Sequence, residues 1–277
     1  MSLKKILVHL AHDDQHMVRL DVGIRLAKAQ GAALAALYIT FPSGMPEYIA
    51  GRGASQVYLE EAYKSAKRHA EELRAEAEKR CADSKVELEW LVVNGEHLKE
   101  LTYQAHVADI TIVSQPSEAS YLEDHIRTRL AEELVMASGS PVLILPRRDE
   151  EPLPVFGRHI MVAWNPSREA VRAVRDALPL LINAEKVSVV TIGKTPEDMA
   201  SESEVVAFLA RHGVPAEPYS VRKEQSVGPQ LLSTAQVLNC DMIVMGAYGH
   251  SRIYELVMGG ATRHVMNHTE RPVLMSH

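Results

Sequence analysis

The chain has 277 residues, enough for one or two domains with a sizeable buried core. With 46% hydrophobic and 24% charged residues it reads as a soluble globular protein, and a net charge of −6 excludes a global positive field that would draw it onto nucleic acid or anionic lipid. The opening MSLKKILVHL is too short for a secretory apolar region, and no stretch approaches the ~20 apolar residues that span a bilayer. Cys81 and Cys240 form no CxxC pair, so a reducing compartment, the cytoplasm, is expected.

Along the chain, a strand is expected at Lys5–Val8 (KILV), followed by a polar cluster of His9, His12, Asp13, Asp14 and His16. These are metal-ligand residue types, but their spacing matches no closed tetrahedral site, and Asp13 or Asp14 as a helix cap is the plainer reading. A Gly/Pro-rich loop, Phe41–Ala54, carries Met45 and Tyr48. Residues 55–82, which include Tyr58, read as one long charged amphipathic helix. ADITIV at Ala108–Val113 and SPVLILP at Ser140–Pro146 are further strand signals. A charged run with two prolines, Arg147–Gly157, then reads as a linker.

The same signals recur in the same order. KILV is matched by HIMV at His159–Val162, ADITIV by CDMIVM at Cys240–Met245, and SPVLILP by RPVLMSH at Arg271–His277. Ile6 to Ile160 is a step of 154, whereas Asp109 to Asp241 is 132 and Pro141 to Pro272 is 131. The first copy therefore holds about 22 extra residues before its fourth strand, where the long helix lies. In the second copy the pattern predicts strands at 159–164, 186–192, 217–221, 240–245 and 272–276. It predicts helices at 168–182, 201–212, 227–238 and 252–267. Continuous apolar strands alternating with helices imply right-handed crossovers and a parallel sheet covered on both faces. The domains expected are 1–148 and 158–277, joined by 149–157.

In such sheets ligands bind beyond the carboxyl ends of the strands. After the fourth strand of the second copy comes Gly246-Ala-Tyr-Gly249, then nine residues, then Gly259-Gly260-Ala261-Thr262 and a helical stretch. Glycines there allow positive φ and close approach of backbone N–H groups to an anion, and Thr262 adds a hydroxyl. After the first strand comes Trp164-Asn165-Pro166-Ser167, which puts Asn165 on the same crevice. Plain turn glycines are the bland alternative at any one of these positions.

This pattern resembles the universal stress protein family, whose ATP-binding subgroup carries G-x2-G-x9-G-(S/T) after strand 4. Its glycines fit at Gly246, Gly249 and Gly259, and the PVLILP and PVLMSH endings look like the family's last strand. The resemblance covers the whole chain as a tandem pair. It implies an α/β fold of two doubly wound, mostly parallel, five-stranded Rossmann-like sheets, with the two final strands pairing across the domains. It also implies that Ala163, Ile192 and Met245 line the base and ribose. The phosphates would then meet Gly246, Gly249, Gly259, Gly260, Ala261 and Thr262. Two departures stand out. Gly260 replaces the usual Ser or Thr, and Asn165 replaces a frequent Asp, a poorer Mg²⁺ ligand.

The first copy looks degenerate. Ser114 and Ser117 stand opposite Gly246 and Gly249, Thr128 and Arg129 opposite Gly259 and Gly260, and Ala11 opposite Asn165. Arg129 is expected to fill the cradle. His264 and His268 share a helix face but make an incomplete metal site, and His250 and Arg252 are loop charges. No G-x-S-x-G elbow, GxxxxGK[ST] loop or nucleophile–base pair is evident.

The reading is a cytoplasmic regulatory protein that binds ATP, with or without Mg²⁺, or ADP or AMP, in its second domain. Hydrolysis is expected to be slow or absent, since neither a general base nor a Mg²⁺ carboxylate is visible. Self-association and an unidentified protein partner are expected; nucleic acid and membranes are not. The rival reading is a nucleotide-independent interaction module with vestigial crevices that docks a partner through 41–54 or 55–82. A metal-dependent enzyme built on His9–His16 is a third.

Overall fold

The structure is a computed structural model that describes residues 2–11, 13–40, 56–115, 130–147, 153–193, 196–249 and 260–277. The loop 41–54 and residues Ser117, Thr128, Arg129, His250, Arg252 and Gly259 lie outside the described residues. Strand and helix alternate throughout, and the chain divides into two compact units.

One unit comprises residues 2–140 with 149–153. It runs β1 (Lys5–Leu10), α1 (His16–Gln30), β2 (Ala33–Ile39), α2 (Gln56–Ser84), β3 (Leu88–Val93), α3 (His97–Ala105), β4 (Ile110–Ser114) and α4 (Leu130–Ala137). Its strands are parallel in the order β3-β2-β1-β4, with Lys5 in register with Ala33 and Ile6 with Ile110. Apart from half-buried Lys5, β1 is buried throughout, as strands covered on both faces must be. Helix α1 stops at Gly31, whose φ of 63° lets its N–H turn back onto the Ala27 carbonyl. The long helix, expected at 55–82, spans 56–84. It buries Ala70, Leu73, Ala77 and Cys81, spaced three or four apart. Flanking that stripe are the i,i+4 pairs Arg74–Glu78 and Glu76–Arg80, and Arg80 also reaches Asp21 on α1.

The other unit comprises 141–148 and 154–277. It contains β5 (Val142–Leu145), β6 (His159–Ala163), α5 (Arg168–Leu181), β7 (Lys186–Ile192), α6 (Pro196–Arg211), β8 (Ala216–Val221), α7 (Val227–Val237), β9 (Met242–Gly246), α8 (Ala261–His268) and β10 (Val273–Ser276). The strand order is β5-β10-β9-β6-β7-β8. All neighbours are parallel except β5 and β10, which pair antiparallel with Leu143 opposite Leu274. The last strand of the first repeat thus sits in the sheet of the second.

Both repeats close the entry to their sheets with the same device. The carboxylate of Asp109, just before β4, accepts from the backbone N–H groups of Lys4 and Lys5 at 2.6 and 2.9 Å. Asp241, just before β9, accepts from those of Gly157, Arg158 and His159 at 2.8, 3.0 and 3.2 Å. Each aspartate's own N–H donates to the first strand, at Lys5 and His159. Charge-assisted bonds to backbone N–H are stronger than neutral ones. Asp241→Ala is therefore expected to lower stability by about 1–2 kcal/mol in urea unfolding, with little change in the slope of the transition. A change within a few tenths of a kcal/mol would show that solvent replaces these bonds at no cost.

Candidate functional site

Three segments of the second repeat converge at the carboxyl ends of its strands. The first follows β6. Trp164 N–H donates to the Val190 carbonyl at 2.8 Å and continues the β6–β7 ladder by one residue. Asn165 is exposed, and its Oδ1 accepts from the Ser167 hydroxyl at 2.7 Å. Ser167 is the N-cap of α5, its Oγ accepting from Ala170 N–H at 3.2 Å. The second segment follows β9, where Gly246 is in register with Ser276. Ala247 N–H donates to the Ser276 carbonyl, and His277 Nδ1 donates to the Ala247 carbonyl, both at 2.9 Å. The third is the start of α8. Gly260 is its N-cap residue and supplies no side-chain cap to the first-turn N–H groups.

Neither Gly246 nor Gly249 has a positive φ. Among the described residues of this loop the left-handed one is Tyr248, with φ of 58°. It is held by its N–H donating to Thr262 Oγ1 at 3.2 Å. Gly246 is needed for close approach. A Cβ there would stand 2.5 Å from Ala170 N and 2.6 Å from the Glu169 carbonyl carbon, both backbone atoms of the first turn of α5. At Gly249 a Cβ would stand 2.8 Å from Glu169 Oε2 and 3.4 Å from Ser167 Oγ, both side-chain atoms. Gly246 is thus explained by helix–strand packing, while Gly249 faces a polar first turn.

The remaining expected residues are placed as follows. Ala163 and Met245 are register partners on β6 and β9; Ala163 is half-buried and Met245 is buried. Ile192 is half-buried at the end of β7. Thr262 is buried, and its hydroxyl oxygen is engaged with Tyr248. A carboxylate not singled out in the sequence, Glu169, is 7% exposed and directed at Gly249. Sequence reasoning stopped at Asn165. The available signal was an acidic residue in the first helical turn after strand 1, in the run WNPSRE.

The first repeat builds the same place from different groups. Aligning Ile6 with Ile160 sets Arg19 opposite Ala173. Arg19, 2% exposed, donates from Nε to the His9 carbonyl at 2.6 Å, from Nη1 to Ser114 Oγ at 3.0 Å and from Nη2 to Asp13 at 2.7 Å. Ser114 is the residue aligned with Gly246, so a guanidinium from α1 binds where the second repeat has a bare backbone. Arg19 enters this place; Arg129, expected to fill the cradle, lies outside the described residues. Asp13 also accepts from Gln15 N–H at 2.8 Å, and its carbonyl is bonded to His16 Nδ1. Burial pushes the Asp13 carboxyl up, but Arg19, the Gln15 N–H and His16 together outweigh it and hold the group below the ordinary aspartate range.

Of the polar cluster after β1, Asp13 and His16 are engaged in these contacts. His9 Nε2 and His97 Nδ1 are 3.0 Å apart in a buried pair with rings edge-on, and among the described residues no group of three or more His, Cys, Asp or Glu could hold a metal ion. His12 lies outside the described residues. His264 and His268 stack on each other at 4.3 Å between ring centroids. Both cysteines are buried and free. Desolvation raises the Cys81 thiol, and desolvation with Asp241 nearby pushes Cys240 up to about 12, so neither is poised as a thiolate.

Two expected outcomes follow from this geometry. Gly246→Ala should lower stability by about 1–3 kcal/mol without any ligand, because backbone must move, whereas Gly249→Ala should cost under about 1 kcal/mol. Urea unfolding of both variants checks the contrast, and equal losses would contradict it. A carboxyl depressed in the folded state contributes stability above its unfolded pKa and loses it as pH falls through the folded value. Urea titrations from pH 7 to 3 should therefore show wild type losing more stability than Asp13→Asn below about pH 4. Superimposable pH profiles would remove Asp13 from the acid response.

With the geometry in hand, the comparisons with known proteins are specific. Residues 157–277 match the model of the universal stress protein family. Universal stress protein Slr1230 of Synechocystis is 26% identical over 174 residues, covering 60% of this chain; the match spans 57% of that relative's length. A universal stress protein from Archaeoglobus fulgidus has a similar fold, with a TM-score of 0.78 at 14% identity over 98% of this chain and 95% of that one. A universal stress protein solved in complex with cAMP matches 53% of this chain and 98% of its own, at 19% identity and a TM-score of 0.37. Among the described residues, no helix is long and apolar enough to cross a membrane. The similarity to universal stress proteins is thus carried in sequence by the second repeat, residues 157–277, and in fold by the whole chain.

Proposed function

We propose that the second repeat binds an adenine nucleotide and that the chain acts as a cytoplasmic stress-response regulator rather than as a turnover enzyme. The observation that carries this reading is the glycine loop after β9. Gly249 presents backbone, with no side chain, to the first turn of α5, and α8 starts at Gly260 without a side-chain cap. Uncapped N–H groups at a helix start suit a phosphate. Gly260, Ala261 and Thr262 would meet the phosphates together with Gly246 and Gly249, and Gly259 by the family motif. Ala163, Ile192 and Met245 would offer apolar surface to the base, and Asn165 a polar contact to the ribose.

ATP with Mg²⁺ is the favoured ligand, with ADP and AMP as alternatives. A bound divalent cation would offset phosphate charge. Its oxygen donors in this crevice are Glu169, Asn165 and Ser167, a set that suits Mg²⁺. Occupancy, rather than turnover, is the proposed signal, acting by population shift. The first repeat is proposed to be a ligand-independent partner domain, because Arg19, Asp13 and Ser114 satisfy one another where phosphates would lie. Self-association and a protein partner complete the reading.

The test is mass spectrometry of ligand released from freshly purified protein, followed by calorimetry with ATP and Mg²⁺. About one adenine nucleotide per chain is expected, with Gly249→Val weakening binding by tenfold or more. Gly246 is unsuitable for this purpose because its substitution disturbs the fold. Absence of released nucleotide together with no binding at millimolar ATP would sink the proposal.

A further inference from the structure

We propose that two copies of the chain pair antiparallel along β3; this gives a surface to the self-association proposed above and rests on that reading. Strand β3 ends the sheet of its unit. It pairs with β2 on one side, and the described residues place no strand on the other. The ladder is anchored by Leu34 N–H donating to the Glu87 carbonyl and Thr40 N–H donating to the Val93 carbonyl, both at 2.9 Å. Successive residues of a strand turn their backbone groups to opposite sides. Glu87, Glu89, Leu91 and Val93 therefore face β2, while Leu88, Trp90 and Val92 present N–H and C=O to the open side. None of these three is a proline, and Val92 is 41% exposed. An apolar edge of this kind is a template for another strand.

The second repeat shows the same edge closed. Strand β8 also ends its sheet, anchored by Val187 N–H on the Pro215 carbonyl at 3.0 Å and Gly193 N–H on the Val221 carbonyl at 2.9 Å. Its outward residues are thus Ala216, Pro218 and Ser220. Pro218 has no N–H to offer, and the Ala216 N–H is turned onto the Val214 carbonyl at 2.9 Å. Counted back from the last bond of each ladder, Pro218 stands where β3 has Trp90. With one edge blocked and the other open, pairing closes at a dimer and does not run on as a fibre.

The register points to a second copy as the occupant. Pairing β3 with itself about Trp90 sets Trp90 opposite Trp90 and Leu88 opposite Val92, so every outward residue exchanges both of its bonds. Glu89, exposed and ion-paired to Lys5 at 2.7 Å, then falls opposite Leu91. A register centred on Glu89 would set like charges directly opposite, and one centred on Leu91 would carry Leu88 past the end of the strand, Leu88–Val93. The edge is self-complementary in one register.

The experiment is light scattering of the full chain across micromolar concentrations, with wild type and Val92→Pro. The proline removes only an outward N–H, and a thermal melt checks that the fold is kept. Wild type is expected at twice the chain mass and Val92→Pro at the chain mass. Cysteine cross-linking supplies a second readout. Directly opposite, hydrogen-bonded residues have Cα atoms about 5.5 Å apart, within disulfide reach. Trp90→Cys is therefore expected to form an intermolecular disulfide on mild oxidation, and Leu91→Cys to stay reduced; the native Cys81 and Cys240 are buried. A folded Val92→Pro dimer, or equal cross-linking at both positions, would overturn the β3 interface and leave self-association standing. A wild type that stays monomeric at every concentration would overturn self-association and this inference together.

Discussion

The second crevice depends on one backbone contact, between the end of β9 and the first turn of α5. A Cβ at Gly246 would stand 2.5 Å from Ala170 N, closer than real Cβ atoms come to such atoms. The helix can begin there only because that position is glycine. Its beginning there brings Ser167 and Glu169 against Gly249, and Asn165 beside them through the Ser167 hydroxyl. The chemistry of the loop is therefore set by a packing requirement that operates whether or not a ligand is bound. Glycine at this place serves the fold first and leaves a surface of bare backbone and polar side chains as its consequence.

The two repeats occupy the corresponding place in opposite ways. In the first, Ser114 stands where the second has Gly246, and Arg19 where it has Ala173. The guanidinium spans the ends of β1 and β4 and is neutralised by Asp13. Burying two charges carries a desolvation cost, so such a pair adds little net stability. Removing one partner would still strand the other in a dry site. The pair fixes the geometry of the strand ends without a ligand. In the second repeat the same region has a small alanine on the helix, a glycine on the strand and a carboxylate facing the loop.

Much of this architecture was legible in the sequence. The repeat showed itself in matched strands, and the aspartates chosen as alignment anchors, Asp109 and Asp241, prove to make equivalent bonds to the start of each first strand. Helix α6, expected from residue 201, begins at Pro196, a residue tolerated at the first helical position where its missing N–H has no partner to lose. The glycines of the loop were legible as special, but the reason was not. Positive φ falls on Tyr248, which sequence gives no cause to suspect, and the need for glycine at 246 comes from a helix more than seventy positions earlier. Arg19 and Glu169 escaped notice for a related reason. Both read as ordinary charged residues of amphipathic helices, and only the rotation of each helix over its sheet turns them inward.

The same rotation explains why the two crevices differ in charge state and not merely in shape. On α1 the inward residue near the strand ends is a cation, and the preceding turn supplies its counter-ion, so the unit is complete by itself. On α5 the corresponding inward position is Ala173, and among the described residues the carboxylate of Glu169 one turn earlier pairs with the exposed Arg168. The strand carrying Gly246 pairs with β10, which in turn pairs with β5, a segment contributed by the first repeat. The second crevice is thus built on a sheet to which the first repeat contributes its last strand.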